Sequence, residues 1–100
     1  MRKPAPRDID NLYAAVLELG SIDDCRRFFR DLLTENEIAE FSERWKAARM
    51  LAGGSSYAEI ARVTGLSSRT IARVGRWLKQ GKGGYAMMLQ KFARSPRSTP

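Results

Sequence analysis

The chain contains no histidine and a single cysteine, Cys25. One thiol cannot close an intrachain disulfide, and without a Cys/His cluster there is no structural zinc site. The same lack removes the commonest general base. No Gly-rich phosphate loop follows a strand, and no carboxylates gather to hold a metal. The sequence therefore points to no catalytic residue, no metal ligand and no enzyme. Long apolar runs are also missing. Nothing is long enough to span a bilayer, and the basic stretch 1–7 lacks the apolar centre of a signal peptide. A cytoplasmic protein with no membrane partner is expected. Acidic residues are scarce in one half only. The whole chain carries 18 Lys+Arg against 11 Asp+Glu, a net charge of +7. Residues 1–52 are near balance, whereas residues 53–100 set nine basic side chains against one acid, Glu59. A basic half on a neutral scaffold suits a polyanionic partner, although a merely solvated basic surface has the same composition.

At 100 residues the chain has room for one domain, expected over 1–94, with a polar, proline-containing tail at 95–100 expected to be disordered. A domain of this size buries a limited share of its surface. With disulfides and metal excluded, association with a second copy is the remaining common source of stability. A homodimer is expected on that ground alone.

What is present reads as helix almost throughout. Asp8 is placed to cap a first helix carrying Ile9, Leu12, Tyr13 and Val16 on one face, with Gly20 closing it. Ser21 caps a second, with Ile22, Cys25, Phe28, Phe29 and Leu32 at helical spacing. A capping box, Thr34-x-x-Glu37, opens a third that runs to Ala52, with Ile38, Phe41, Trp45, Ala48 and Leu51 as its buried stripe. A second box, Ser56-x-x-Glu59, opens a short helix that Gly65 ends. Ser67 caps a fifth helix reaching Gln80, and after a glycine-rich break a last one carries Tyr85, Met88, Leu89 and Phe92. No period-two alternation suggests a strand.

The segment from Ser56 to Lys79 meets the demands of a helix-turn-helix together. Ala61 is small where two helices must cross, and Gly65, four residues on, suits a turn at positive φ. Ile60, Leu66, Ile71 and Val74 are apolar at the offsets that share a core, Thr64 precedes the turn, and Ser67 caps the second helix of the pair. The outward face of that helix is then Ser68, Arg69, Ala72, Arg73, Arg76 and Lys79. Its small leading residues permit close approach to base edges, and Arg69 has the fork geometry for a guanine. The amides at the helix start favour nearby phosphate, and Ser67, Ser68, Arg69, Thr70, Ala72 and Arg73 are expected at or near bases. Arg62, Arg76, Lys79 and Lys82 read as contacts that orient the module on the backbone of double-stranded DNA, and Ser56 and Tyr57 are counted among the DNA-binding residues. Two helices packed in an ordinary all-α core would show much of the same apolar pattern.

Residues 32–79, from Leu32-Leu33-Thr34-Glu35 through Arg44 and Ser56 to Leu78-Lys79, resemble the Trp repressor superfamily, and within it the YerC/YecD-type branch of Trp-repressor-related proteins. The resemblance implies an all-α, Trp-repressor-like bundle of about six helices with the helix-turn-helix at about 56–79. It also implies an intertwined homodimer and a cytoplasmic DNA-binding repressor. The family's namesake holds L-tryptophan between two arginines, whose positions match Arg44 and Arg73, with Thr34 at a further pocket position. Val74 and Trp77 stand where that repressor has glycine and serine, so both are expected to crowd an indole, and Trp77 offers itself as an internal substitute. Surface or phosphate contacts are the competing roles for Arg44 and Arg73, and no cofactor is expected.

Other residues have plainer readings. Cys25 is expected to be a buried, inert thiol, and Asp23 and Asp24 favour the positive end of a helix. Trp45 is expected in the core, with Trp77 packed on the body or on a dimer partner. Gly75, inside a helix, marks a close approach either by another helix or by DNA. A protein-interaction module with a helix-turn-helix core that does not bind DNA specifically is the alternative function.

Overall fold

A computed structural model describes residues 2–97. They form six helices and no strand: α1 (Pro6–Leu17), α2 (Ile22–Leu32), α3 (Glu35–Ala52), α4 (Tyr57–Thr64), α5 (Ser68–Gln80) and α6 (Gly84–Ala93). The all-α expectation holds. Two compact units are present, one reaching to Ile38 and the other starting at Ala39. Of the expected disordered tail, residues 98–100 lie outside the described residues. Residues 95–97 form a turn in which the Ser95 hydroxyl accepts from the Arg97 amide at 3.0 Å.

In the first unit, α1 starts three residues earlier than an Asp8 cap would place it, with Ala5 as its cap. Pro6 occupies its first turn, where a fixed φ is helical and no amide donor is wasted. Asp8 sits within that turn, its amide donating to the Ala5 carbonyl at 3.0 Å. Gly20 does not close the helix with a left-handed residue. Glu18 ends it in right-handed geometry, and the Gly20 amide instead donates to Asp24 Oδ2 at 3.1 Å. The other two signals hold. Ser21 accepts from the Asp24 amide at 3.0 Å. Thr34 and Glu37 close a full capping box, with Thr34 N donating to Glu37 Oε1 at 2.9 Å and Glu37 N donating to Thr34 Oγ1 at 3.1 Å. Those bonds hold the Glu37 carboxyl below the usual carboxylate range.

No residue of α1 or α2 is buried. Leu17 is 86% exposed, and Tyr13, Ile22 and Leu32 are exposed as well. Cys25, expected to be buried, is half-exposed. The apolar stripes read from the sequence exist, but two short helices give them little to pack against.

The second unit has a true core. Ala47 and Ala48 of α3, Ile60 of α4, and Ile71 and Val74 of α5 are all fully buried, with Trp45, Met50, Leu51, Ala61, Leu66 and Tyr85 packed around them. The expected stripe of α3 fails at Phe41, which is exposed, and holds at Ala48, which is fully buried together with Ala47. Alanine at both positions leaves room for bulky Ile60, Ile71 and Val74 to enter. Trp45 stacks on Tyr85 with ring centroids 6.4 Å apart and meets the edge of Phe92 at 5.7 Å. Arg49 lies over the Phe92 ring at 5.2 Å. This aromatic group fastens α6 to α3 and completes the platform on which α4 and α5 rest.

Candidate nucleic-acid interface

The interface is built on the α4–turn–α5 segment, and its geometry follows from short-range bonds. Ser56 caps α4 by accepting from the Glu59 amide at 3.1 Å. The second capping box closes only by half, however, because the Glu59 carboxylate turns to Arg62. Arg62 Nη2 lies 2.6 Å from Oε1 and Nε lies 3.0 Å from Oε2. A bidentate guanidinium is a stronger partner than a single backbone amide. The pairing lowers the Glu59 pKa and raises that of Arg62.

The turn is fixed from both sides. Thr64 Oγ1 donates to the Ile60 carbonyl at 2.7 Å and accepts from the Leu66 amide at 3.2 Å. Between them Gly65 takes φ +74°, the left-handed region, and its amide donates to Ala61 O at 2.9 Å. Ala61, at the crossing, is half-buried against the core, as its small size suggests. Ser67 then caps α5, accepting from the Thr70 amide at 3.1 Å while its hydroxyl donates to Thr70 Oγ1 at 3.0 Å.

α5 divides into two faces. Ile71, Val74 and Gly75 are buried. Ser68, Arg69, Ala72, Arg73, Arg76 and Lys79 are exposed, and Thr70 lies between. The helix contains no acidic residue. Among the described residues Arg69, Arg73, Arg76 and Lys79 make no ion pair, unlike Arg62. The result is a row of free cations on one side of a helix whose other side is anchored in the core.

Gly75 has a specific neighbour. A Cβ placed on it would stand 3.1 Å from the Tyr57 hydroxyl and 3.7 Å from Leu51 Cδ1. The close approach left open by the sequence is therefore made by α4 and α3 of the same chain. Tyr57 and Gly75 are far apart in sequence, and no local pattern announced the contact. Tyr57 is 47% exposed, and with Ala72, Gly75, Arg76, Lys79 and Gln80 it lines an open groove of about 290 Å³ beside α5.

The positions matched to an effector pocket are less coherent. Thr34 belongs to the first unit, and its side chain and amide are engaged in the capping box. Arg44 donates to Glu40 Oε1 at 2.8 Å and lies over the Phe41 ring at 5.7 Å. Arg44 would have to exchange Glu40 and Phe41 before it could sandwich an indole. Val74 fills the core of the second unit, so its bulk lies there and not in an open space. Trp77 is 41% exposed, so the expected packing on the body is only partial. Arg73 alone stands free on the surface. The residues present do not fit L-tryptophan as they stand. Among the described residues no helix is long and apolar enough to cross a membrane, and no group of three metal-binding side chains occurs.

Comparison with known proteins gives this arrangement its relatives. A family model for the Trp repressor protein matches residues 7–93. The uncharacterized protein YerC of Bacillus subtilis (strain 168) is 41% identical over 85 residues, covering 85% of this chain and 82% of its own. Two solved structures superpose with a TM-score of 0.84. One is a TrpR-like protein from Eubacterium eligens ATCC 27750, 36% identical and covering 88% of this chain and 91% of its own. The other is a candidate Trp repressor from Staphylococcus aureus, 37% identical and covering 91% of each chain.

Proposed function

This chain belongs to the Trp repressor family, and we propose that it is a sequence-specific DNA-binding transcriptional regulator, a repressor that acts as a homodimer without chemistry of its own. The observation that carries the reading is the outer face of α5: four unpaired cations and two small residues, Ser68 and Ala72, on a helix capped by Ser67 and free of acid. In this reading Ser67, Ser68, Arg69, Thr70, Ala72 and Arg73 lie at or near base edges in the major groove, where side chains can distinguish all four base pairs. Ser56, Tyr57, Arg76 and Lys79 meet phosphates. Arg62 joins them only by exchanging Glu59 for a phosphate.

The dimer has its own support. α1 and α2 expose Ile9, Leu12, Tyr13, Leu17, Ile22 and Leu32 and bury nothing. Two helices with apolar stripes and no core are unstable alone, and a second copy of the same chain supplies the complementary stripes by symmetry. The protein is expected to act in the cytoplasm, without membrane and without L-tryptophan or any other cofactor.

The test is selection of bound sites from a random pool of duplex DNA at near-physiological salt. A palindrome with half-sites about one helical turn (~10 bp) apart is the expected product of a dimeric reader. Salt-sensitive binding to any duplex with no enriched sequence would refute sequence-specific reading. Absence of any DNA binding would leave the protein-interaction module.

A further inference from the structure

The groove between Tyr57 and the C-terminal half of α5 contains two cations, a phenol and an amide, and no carboxylate. Its floor is Ala72 and Gly75, which lack the bulk to fill it. We infer that this groove is a clamp for one phosphate of the DNA backbone, with Tyr57 as the group that fixes the phosphate against Arg76 and Lys79. The inference rests on the DNA-binding reading and adds to it a position and a mechanism.

Geometry places the clamp at the edge of the interface. From Ser68 to Arg76 the helix advances about 12 Å, at a rise of roughly 1.5 Å per residue. That is close to the width of the major groove, about 12 Å. With the start of α5 over base edges, Arg76 and Lys79 come level with the backbone that borders the groove. Lys79 attracts a phosphate as a point charge without orienting it, and Arg76 reaches it on a long, exposed side chain. A hydroxyl donor on a ring laid against the helix adds a direction set by the protein.

Gly75 is what holds the ring. Glycine inside a helix is unfavourable relative to alanine, yet here it is buried beneath the Tyr57 hydroxyl. The missing side chain lets the phenol lie against α5 and keeps its hydroxyl at the mouth of the groove. A Cβ at 3.1 Å would push the hydroxyl by a few tenths of an ångström while meeting Leu51 Cδ1 at an ordinary contact distance, 3.7 Å.

The experiment is a double-mutant cycle on the full chain, binding a mixed-sequence duplex at low salt and over a salt series. Tyr57→Phe removes one hydrogen bond to a charged group and no charge. Affinity is expected to fall about tenfold with an unchanged salt slope. Gly75→Ala, whose melting temperature should not fall, is expected to lose a similar factor, and the double variant no more than Tyr57→Phe alone. Lys79→Gln is the ionic control, lowering the slope by about one. Binding by Tyr57→Phe equal to the unaltered protein, or losses that multiply in the double variant, would overturn the clamp. If Gly75→Ala does not fold, Tyr57→Phe and Lys79→Gln decide by affinity and slope. An unaltered protein that binds no duplex at low salt refutes DNA binding and the clamp together. One that binds while Tyr57→Phe has no effect refutes the clamp only.

Discussion

Replacing Gly65 separates backbone strain from packing unusually cleanly. The residue closes α4 at φ +74°, and a Cβ built on it meets nothing within 4 Å. Gly65→Ala therefore costs only the left-handed conformation, about 1–2 kcal/mol for an L-residue. Asparagine tolerates that region better, so Gly65→Asn should lose less. Valine, branched at Cβ, should lose most. The turn has little freedom to escape the strain, because the Gly65 amide is bonded to Ala61 O and Thr64 Oγ1 ties Ile60 to Leu66. Thermal melts at one fixed protein concentration measure the effect, since a dimer's apparent stability depends on concentration. For a domain of this size the alanine variant should melt roughly 5–15 °C lower. The expected order is Gly, Asn, Ala, Val. An alanine variant as stable as the original, or more stable than asparagine, would refute the claim that φ alone demands glycine here.

Four further outcomes are expected from the same structure. Ser67→Asp keeps a good N-cap and so should leave the melting temperature nearly unchanged, but it sets a carboxylate at the start of α5. DNA affinity should drop at least about tenfold, and binding within about twofold of the original would remove that helix start from the interface. Arg69→Ala should cost ~1–3 kcal/mol on a selected site and less on random duplex; equal losses would deny it a base contact. Glu37 has its pKa lowered from 4.5 by Thr34, so its contribution is present above that value and is lost as pH falls through the depressed one. The stability gap between the protein and Glu37→Gln should be constant near neutrality and shrink below pH 4.5, and a gap unchanged into acid would contradict the sign. Calorimetry with L-tryptophan should show no saturable heat at micromolar ligand, because Arg44 is engaged by Glu40 and Phe41; a saturable heat would restore the effector pocket.

The parts of the fold that were legible in the sequence are those decided within three or four residues. Ser21, Thr34, Ser56 and Ser67 all accept the amide that their spacing assigns to them. Gly65 has the φ that its place in the motif requires. The errors have equally local causes. Pro6 outranks Asp8 as a helix start because proline is already helical in φ. Glu59 had two possible partners at nearly equal distance in sequence, and the charged one won. What could not be read depends on which elements meet. Phe41 and Ala47 lie on the same helix, and only the approach of α4 and α5 decides which of them is buried. The Tyr57–Gly75 contact and the Trp45–Tyr85–Phe92 group each join residues far apart in sequence. The outward face of the candidate site was nevertheless legible in full, because a helix with one apolar stripe has only one face left to present.

That face also argues for an anionic partner on energetic grounds independent of family. Arg69 and Arg73 are four residues apart on α5, and Arg73, Arg76 and Lys79 succeed one another at intervals of three. Each adjacent like-charge pair on a helix surface is unfavourable by roughly 0.2–0.5 kcal/mol. No acid within α5 relieves them, although Glu59 relieves Arg62 on the preceding helix and Glu40 relieves Arg44 on α3. Arg30, Arg44 and Arg62 are paired with acids on or beside their own helices, whereas this row sets four cations in succession with no acid among them. α5 also contains Gly75, which weakens it further by about 1 kcal/mol relative to alanine. A helix so arranged is held by its buried face, through Ile71 and Val74, rather than by its own surface. The unrelieved charge is a standing cost in the free protein and becomes a gain when a polyanion lies along the row, as counterions leave the nucleic acid and the arginines lose their mutual repulsion. A solvated basic surface with no partner would carry the cost and never recover it.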